Sequence, residues 1–502
     1  MGQMGTPATE HLEVELKFEV EAGTVLPGLN DLDGVAEVRV SQSELSATYF
    51  DLPGLRLARA GVTLRRRTGG HDAGWHLKLP AGDDARTEYQ VELGDSESVV
   101  PAELLDHIRV LVRDHAPAPV ATIRTSRTEH LLIGPDGTHL VEVADDTVRT
   151  QAFQAAGSAR LDSWREWEVE LVDGPARTVK AVRKALLKAG ATTAGRGSKL
   201  VHALGGLPAA DCPAPDRKGP AGAVLRPYLQ EQITELFDRD PQVRRDEPEG
   251  IHKMRVATRR LRSALSTFRP LLDGEVTDPI RDELKWLAEI LGRARDVQVQ
   301  TERLHLAVLA EPSDLVLGPV DRRVQLTLTQ AYREAFTGVR QALDSTRYFR
   351  LLDALDTLSD HPPLSAKAAG RADRVLPDLV AKKWKRLRKA AGVVLADGTD
   401  GELHETRKAA KRARYAAEVV GVVFPRARKD AEIGQDLQEI LGEHQDSVVS
   451  RDHLRELAAQ AYGAGENTFT FGLLHARQQA IAEEIEGRFP AIWKKADRRL
   501  RR

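Results

Sequence analysis

Through roughly the first 200 positions the chain alternates apolar and polar residues in short runs; beyond them the apolar positions recur with a helical period. Glu13-Val14-Glu15-Leu16-Lys17-Phe18 shows the first pattern most clearly. A strand there puts Glu13, Glu15 and Lys17 on one face and Val14, Leu16 and Phe18 on the other. Alternation of this kind predicts strands over 12–20, 62–67, 74–79, 88–93, 139–143 and 164–172, with turns such as Gly134-Pro135-Asp136-Gly137 separating some of them. Val179 to Ala189 predicts an amphipathic helix. The polar faces are charged: Arg65 shares one with Arg67, Lys78 lies between Leu77 and Leu79, and Glu168 and Glu170 alternate with Trp167, Val169 and Leu171. Such faces fit solvent-exposed strands. They equally fit a barrel whose apolar faces pack outward on helices and whose lumen holds acids and bases. In that second arrangement, carboxylates two residues apart can bind a hard divalent cation, while Arg and Lys hold phosphate oxygens.

Leu204 to Pro215, followed by Gly219-Pro220, is too rich in Gly, Pro and Ala to sustain either period and predicts a linker over 205–222. After it, Pro270, Pro279, Pro312, Pro319, Pro362-Pro363 and Pro425 punctuate helical stretches. The expected fold class is α+β multidomain: an antiparallel β domain with flanking helices over 10–204, then an all-α domain over 223–502.

The helical part repeats itself. His252-Lys253-Met254-Arg255-Val256-Ala257-Thr258-Arg259-Arg260-Leu261-Arg262 returns 152 positions later as His404-Glu405-Thr406-Arg407-Lys408-Ala409-Ala410-Lys411-Arg412-Ala413-Arg414. Leu291-Gly292-Arg293-Ala294-Arg295-Asp296 returns as Leu441-Gly442-Glu443-His444-Gln445-Asp446. Two matched motifs imply a duplication, with halves over about 223–360 and 370–502. On a helix, His252, Arg255, Arg259 and Arg262 fall within about 80° of arc, as do His404, Arg407, Lys411 and Arg414. Met254, Ala257, Leu261 and Leu265 form the apolar back of the first copy, and Ala413, Ala417 and Val420 that of the second. A basic stripe is usually a solvated face, but solvated faces mix signs to relieve repulsion. Two stripes without interspersed acids predict a polyanion surface. The copies differ where Arg293 and Arg295 become Glu443 and Gln445; His444, replacing Ala294, is expected to compensate in part.

Charge is unevenly distributed. The whole chain carries −2, with residues 1–210 acidic and the remainder mildly basic. That balance argues against a generic nucleic-acid binder. One cysteine, Cys212, permits no intrachain disulfide and fits a reducing compartment. The acidic N-terminus does not resemble a signal peptide, and the longest aliphatic run, Val419 to Phe424, is far below the roughly 20 residues of a membrane span. A cytoplasmic protein without membrane or specific nucleic-acid partners is expected. No P-loop and no Ser–His or Cys–His motif supports Walker-type or covalent chemistry.

The charged strands carry a resemblance. Glu13-x-Glu15-x-Lys17, Leu64-Arg65-Arg66-Arg67, Leu77-Lys78-Leu79-Pro80, Arg86-Thr87-Glu88, Glu168-Val169-Glu170 and Gly197-Ser198-Lys199 occur in the order found in the CYTH superfamily, the triphosphate tunnel metalloenzymes. The resemblance covers about 10–204. It implies an eight-stranded antiparallel tunnel binding a triphosphate with Mg²⁺ or Mn²⁺. By that resemblance Glu13, Glu15, Glu168 and Glu170 are metal ligands, with Glu88 and Asp145 contributing on the acidic side and Asp146 the alternative to Asp145. Lys17, Arg65, Arg67, Lys78, Arg127 and Lys199 bind phosphates; Glu13, Glu15 and Lys17 form the catalytic opening strand. The duplicated half resembles the CHAD domain, which implies two pseudo-symmetric helical bundles with a basic surface for inorganic polyphosphate. The implied activity is metal-dependent hydrolysis of inorganic tripolyphosphate or short polyphosphate, in the cytoplasm and near polyphosphate granules. The alternatives are a non-catalytic polyphosphate adaptor, or an adenylate cyclase or thiamine triphosphatase type of tunnel enzyme.

Overall fold

The computed structural model describes residues 9–81, 85–94, 96–153, 158–195, 198–207 and 214–501, without the side chains of 9–14 and Asp397. The chain divides into two compact units, Met1–Ala209 and Ala210–Arg502.

The first unit is a closed antiparallel barrel. Its strands are β1 (Thr9–Val20), β2 (Glu37–Asp51), β3 (Thr63–Thr68), β4 (Gly74–Pro80), β5 (Ala85–Val91), β6 (Ala118–Ile133), β7 (His139–Phe153), β8 (Ala159–Leu171) and β9 (Thr192–Thr193). They follow the order β5-β4-β3-β2-β6-β7-β8-β1-β9, and β1 closes the ring by pairing β5 through its first half and β8 through its second. Among the described residues the strand count is nine, where eight were expected. The addition is the two-residue β9, which pairs with Phe18 and Glu19 at the end of β1.

The apolar faces point outward and are covered by helices. Phe18, Val143, Trp167 and Val169 pack with Val182 and Leu186 of α4 (Ala176–Lys188). Phe50, Leu64, Trp75 and Leu77 are covered by Leu57 of α1 (Arg56–Arg59) and by Leu104 and Val112 of α2 (Ala102–His107) and α3 (Arg109–Val112). Each such side chain contributes roughly 1.5–3 kcal/mol by leaving water. The charged faces are therefore left to the interior. A short helix, α5 (Lys199–Leu204), inserts Leu200 and Ala203 among Ala47, Tyr49, Ile123 and Val148 and fills that stretch of it.

The second unit is all helix: α6 (Ala221–Arg244), α7 (Gly250–Thr267), α8 (Gly274–Leu309), α9 (Val320–Leu343), α10 (Thr346–Asp360), α11 (Ala372–Asp397), α12 (Asp400–Val420), α13 (Pro425–Gly463) and α14 (Phe469–Arg501). Helices α6 to α9 correspond in order to α11 to α14, and α10 is the element between the halves. Thr399 and Glu402 form a capping box that starts α12, satisfying backbone donors the first turn would otherwise leave open. The two halves begin against each other: Ala221 N donates to Gly370 O, and Ala372 N to Gly219 O, both at 2.8 Å. The expected linker over 205–222 is thus too long at its far end. Residues 217–221 pair with 370–373 as part of the helical unit, because each half supplies the backbone partner of the other.

Candidate functional site

Seven strands and α5 deliver charged side chains into one cavity of about 420 Å³. They are Glu15 and Lys17 from β1, Arg65 and Arg67 from β3, Lys78 from β4, Glu88 from β5, Arg127 from β6, Glu142 from β7, Glu168 and Glu170 from β8, and Lys199 from α5. Lys199 is fixed at the helix start because Ser198 Oγ caps α5, accepting from Val201 N at 3.2 Å. Glu13 lies on β1 opposite Arg86, and its side chain is outside the described residues.

Register sorts the carboxylates into two groups. Glu15 is directly opposite Glu170, and Glu170 directly opposite Glu142, a row of three acids across β1, β8 and β7. Like charges so placed destabilise a sheet. Burial, reinforced by Glu129 and Glu170, pushes the Glu142 carboxyl up to about 7. Burial also raises Glu170, with Lys78 opposing the shift and Glu15 adding to it. An all-oxygen row in which burial makes Glu142 and Glu170 resist ionisation fits a hard divalent cation such as Mg²⁺ or Mn²⁺.

The neighbouring group is already neutralised. Glu168 contacts Lys17 and accepts from Arg127 Nη2 at 2.6 Å, and Lys199 Nζ lies 2.8 Å from it. Burial alone would raise the Glu168 carboxyl, but Lys17, Lys199 and Arg127 hold it well below the usual range. Asp146, fully buried, accepts from Arg127 Nε at 2.8 Å and Lys199 Nζ at 2.6 Å. Asp146, Glu166 and Glu168 are close enough to share an ion. The Lys199 ammonium stands there, 2.6, 3.0 and 2.8 Å from the three.

Two expected metal ligands are placed elsewhere. Asp145 faces away from the cavity and is bound by Arg165 through Nε at 2.8 Å and Nη2 at 2.6 Å. The period of β7 explains this: Glu142 and Asp146 share the inward face, so Asp145 does not. Glu88 does reach the cavity, but among cations rather than in the acidic row. Its carboxylate lies 2.8 Å from His76 Nδ1, 3.8 Å from Lys78 Nζ and 3.9 Å from Arg65 Nη2.

The cationic wall is formed by β3 and β4. Arg65 Nη1 donates to Tyr49 OH at 3.5 Å, and Arg67 contacts Asp72. Burial, with Arg65 and Arg127 nearby, pulls Arg67 down to about 9, so an anion placed there regains the lost charge stabilisation. Sequence reasoning missed His76, Glu129 and the inward placement of Glu142. For Glu142 and Glu129 the strand period was the available signal. His76, on the buried face between Trp75 and Leu77, left none.

In the helical unit α7 and α12 pack together with their apolar backs buried: Met254, Ala257, Leu261 and Leu265, and Ala413, Ala417 and Val420. Arg255 Nη2 lies 3.3 Å from Asp296 Oδ1, and a Cβ on Gly292 would stand 3.4 Å from Arg255 Nε. The second copy repeats this, with Arg407 Nε 3.4 Å from a Cβ on Gly442 and Asp446 acting on its charge. The Leu-Gly-x-x-x-Asp motif therefore seats an arginine from the preceding helix. Arg255, Arg259 and Arg262 line a surface groove with Gly292 and Asp296. Arg414, expected to match Arg262, instead donates to Glu418 at 2.7 Å and to Gln438 at 3.4 Å. His444 does not replace the lost arginines: it is buried, 2.9 Å from Glu486 and 3.3 Å from Asp400.

Among the described residues no helix is long and apolar enough to cross a membrane. A family model described as the CYTH domain matches residues 11–202, and one described as the CHAD domain matches residues 227–455. An uncharacterized protein of Mycobacterium tuberculosis is 42% identical, with 98% of each chain covered. Similar solved structures include PptA from Streptomyces chartreusis (26% identity, 55% of this chain and 99% of that one, TM-score 0.46). The CHAD domain from the plant Ricinus communis is another (27%, 56% and 95%, TM-score 0.45).

Proposed function

The chain belongs to the proteins that join a CYTH domain to a CHAD domain, and from that membership we propose a divalent-metal-dependent phosphohydrolase of inorganic triphosphate or short polyphosphate, whose helical unit binds longer polyphosphate. One observation carries the reading: the acidic row of Glu15, Glu170 and Glu142 shares a single cavity with Arg65, Arg67 and Lys78.

Arg65 and Arg67 hold phosphate oxygens through planar guanidinium groups, and Lys78 acts as a point charge. Together they fix the chain of phosphates so that the terminal phosphorus meets water in line. Glu15, Glu170 and Glu142 would hold Mg²⁺ or Mn²⁺ through their carboxylate oxygens. When bound, such an ion neutralises charge at the phosphoryl oxygens and acidifies water. Lys17, 3.1 Å from Glu15 and in contact with Glu168, orients both carboxylates and helps keep Glu168 ionised. Glu88, steadied by His76, spaces Arg65 and Lys78 on the cationic wall.

The test is phosphate release from tripolyphosphate, ATP and thiamine triphosphate side by side, with Mg²⁺ or Mn²⁺ and then with chelator. Preference for tripolyphosphate supports the inorganic substrate; preference for either organic triphosphate transfers the activity to that class. Tight metal-dependent binding without turnover of any of the three assigns the adaptor role. The same reading puts the protein in the cytoplasm beside polyphosphate granules, which imaging of a fluorescent fusion checks.

A further inference from the structure

The duplicated basic faces differ at one chemically important position. Arg259 on α7 has Lys411 as its counterpart on α12. A guanidinium holds its proton far more firmly than an ammonium, which readily loses its proton when buried. Lys411 is only 7% exposed, and among the described residues it makes no ion pair.

The groups around it leave that charge poorly supported. Arg255 and Arg259 face it from α7, Arg407 from its own helix, and Asp446 from α13. Asp446 is itself acted on first by Arg407 among the cations. The other elements packed on α12 offer no help: Lys383 of α11 faces Arg386 and Arg412, and Tyr228 of α6 faces Glu418, Arg260 and Tyr415. Burial, then Arg259, Arg407 and Arg255, pull Lys411 down to about 6.

We propose that Lys411, a buried ammonium without an ion-pair partner among the described residues and beside the arginines of the repeated motif, is a proton-coupled element of the polyanion surface, taking up one proton when a multiply charged phosphate chain binds beside it. This rests on the reading that the helical unit binds polyphosphate. Each added negative charge restores the ammonium, so binding and protonation favour each other by linkage. The ligand selects the protonated form. Affinity is therefore insensitive to this group below about pH 6 and falls by about tenfold per pH unit above it, until the bound-state value is passed.

His252 and His404 lie on the same faces, and burial, first in both cases, lowers them below the ordinary imidazole range. A bound anion raises these imidazoles, and Lys383, which burial pulls down to about 8, as it raises Lys411, so the Lys411 contribution is read as the difference between wild type and Lys411→Arg.

The experiment is titration calorimetry of the full chain with long-chain inorganic polyphosphate, in chelator and in buffers of different ionisation enthalpy. Wild type is expected to take up about one proton or more at pH 7.5 and to lose affinity by about tenfold or more per unit up to pH 8.5. Lys411→Arg should take up about one proton fewer than wild type and show a correspondingly weaker pH dependence, and Arg259→Lys should add uptake to the wild-type value. Equal uptake in wild type and Lys411→Arg, or none in wild type, overturns the proposal while leaving polyphosphate binding intact. Absence of binding at pH 6 by any variant would instead overturn the underlying reading, and this proposal with it.

Discussion

Glu15 stands directly opposite Glu170 on the adjoining strand of a closed barrel, so two carboxylates face each other where a sheet normally places an apolar or oppositely charged pair. Glu142 extends the row on the next strand. Like charges so placed cost stability, and on the proposed reading a bound cation offsets that cost.

That cost has a pH signature. The Glu142 carboxyl is raised from 4.5 to about 7, so the folded chain keeps its proton longer than the unfolded chain does. The folded state consequently loses stability as pH rises from about 4.5 to about 7 and does not recover it above. Thermal melts in chelator should show this decline in wild type and less of it in Glu142→Gln. At pH 8, Mn²⁺ should raise the wild-type midpoint and raise that of the variant distinctly less. Equal metal shifts would place the ion away from this row.

On the cationic wall, Arg67→Ala removes a charge-assisted contact to substrate, a loss of about 1.5–3 kcal/mol. Steady-state kinetics on tripolyphosphate should show kcat/KM lower by about 10- to 100-fold, mostly through KM. An unchanged kcat/KM would put β3 outside the site.

Much of this was readable from strand period, and the failures have physical causes. The inward set on β1, β3, β4 and β8 follows from alternation starting at Glu15, Arg65, Lys78 and Glu168. The same rule applied from Glu142 selects Asp146 over Asp145, a choice of phase that the sequence reading left open. Residue type cannot say which wall a carboxylate joins, and Glu88 sits among cations because β5 pairs with β4. Strands β2 and β6 were not singled out, their polar and small residues diluting the alternation. The pairing of 217–221 with 370–373 joins segments far apart in sequence, beyond the reach of a local pattern. Arg414 was misjudged although its partner is local. Glu418 lies four residues on, whereas the first copy has Ser266 after Arg262.

The glycines of the repeated motif offer a test independent of charge. Valine at Gly292 or Gly442 would crowd a guanidinium that already lies 3.4 Å from a built Cβ. Either variant should weaken long-chain polyphosphate binding by displacing Arg255 or Arg407, while tripolyphosphate hydrolysis continues. Binding unchanged in both would show that the seating of these arginines is irrelevant to the ligand.

Charge reversal addresses the surface as a whole. Reversal at Arg255 with Arg259, or at Arg407 with Lys411, should each weaken polyphosphate binding, and the salt dependence should flatten as phosphate contacts are lost. Reversal at the exposed Arg498 serves as control. Equal losses from control and stripe variants would leave only general electrostatic attraction.

The most direct measurement is phosphate release from tripolyphosphate by wild type and Glu15→Gln, each with Mn²⁺ or Mg²⁺ and with excess chelator. Wild type should turn over with metal and stop in chelator. Glu15→Gln should lose about 100-fold or more of the rate with a nearly unchanged melting temperature. Turnover by wild type that persists in excess chelator would contradict the account.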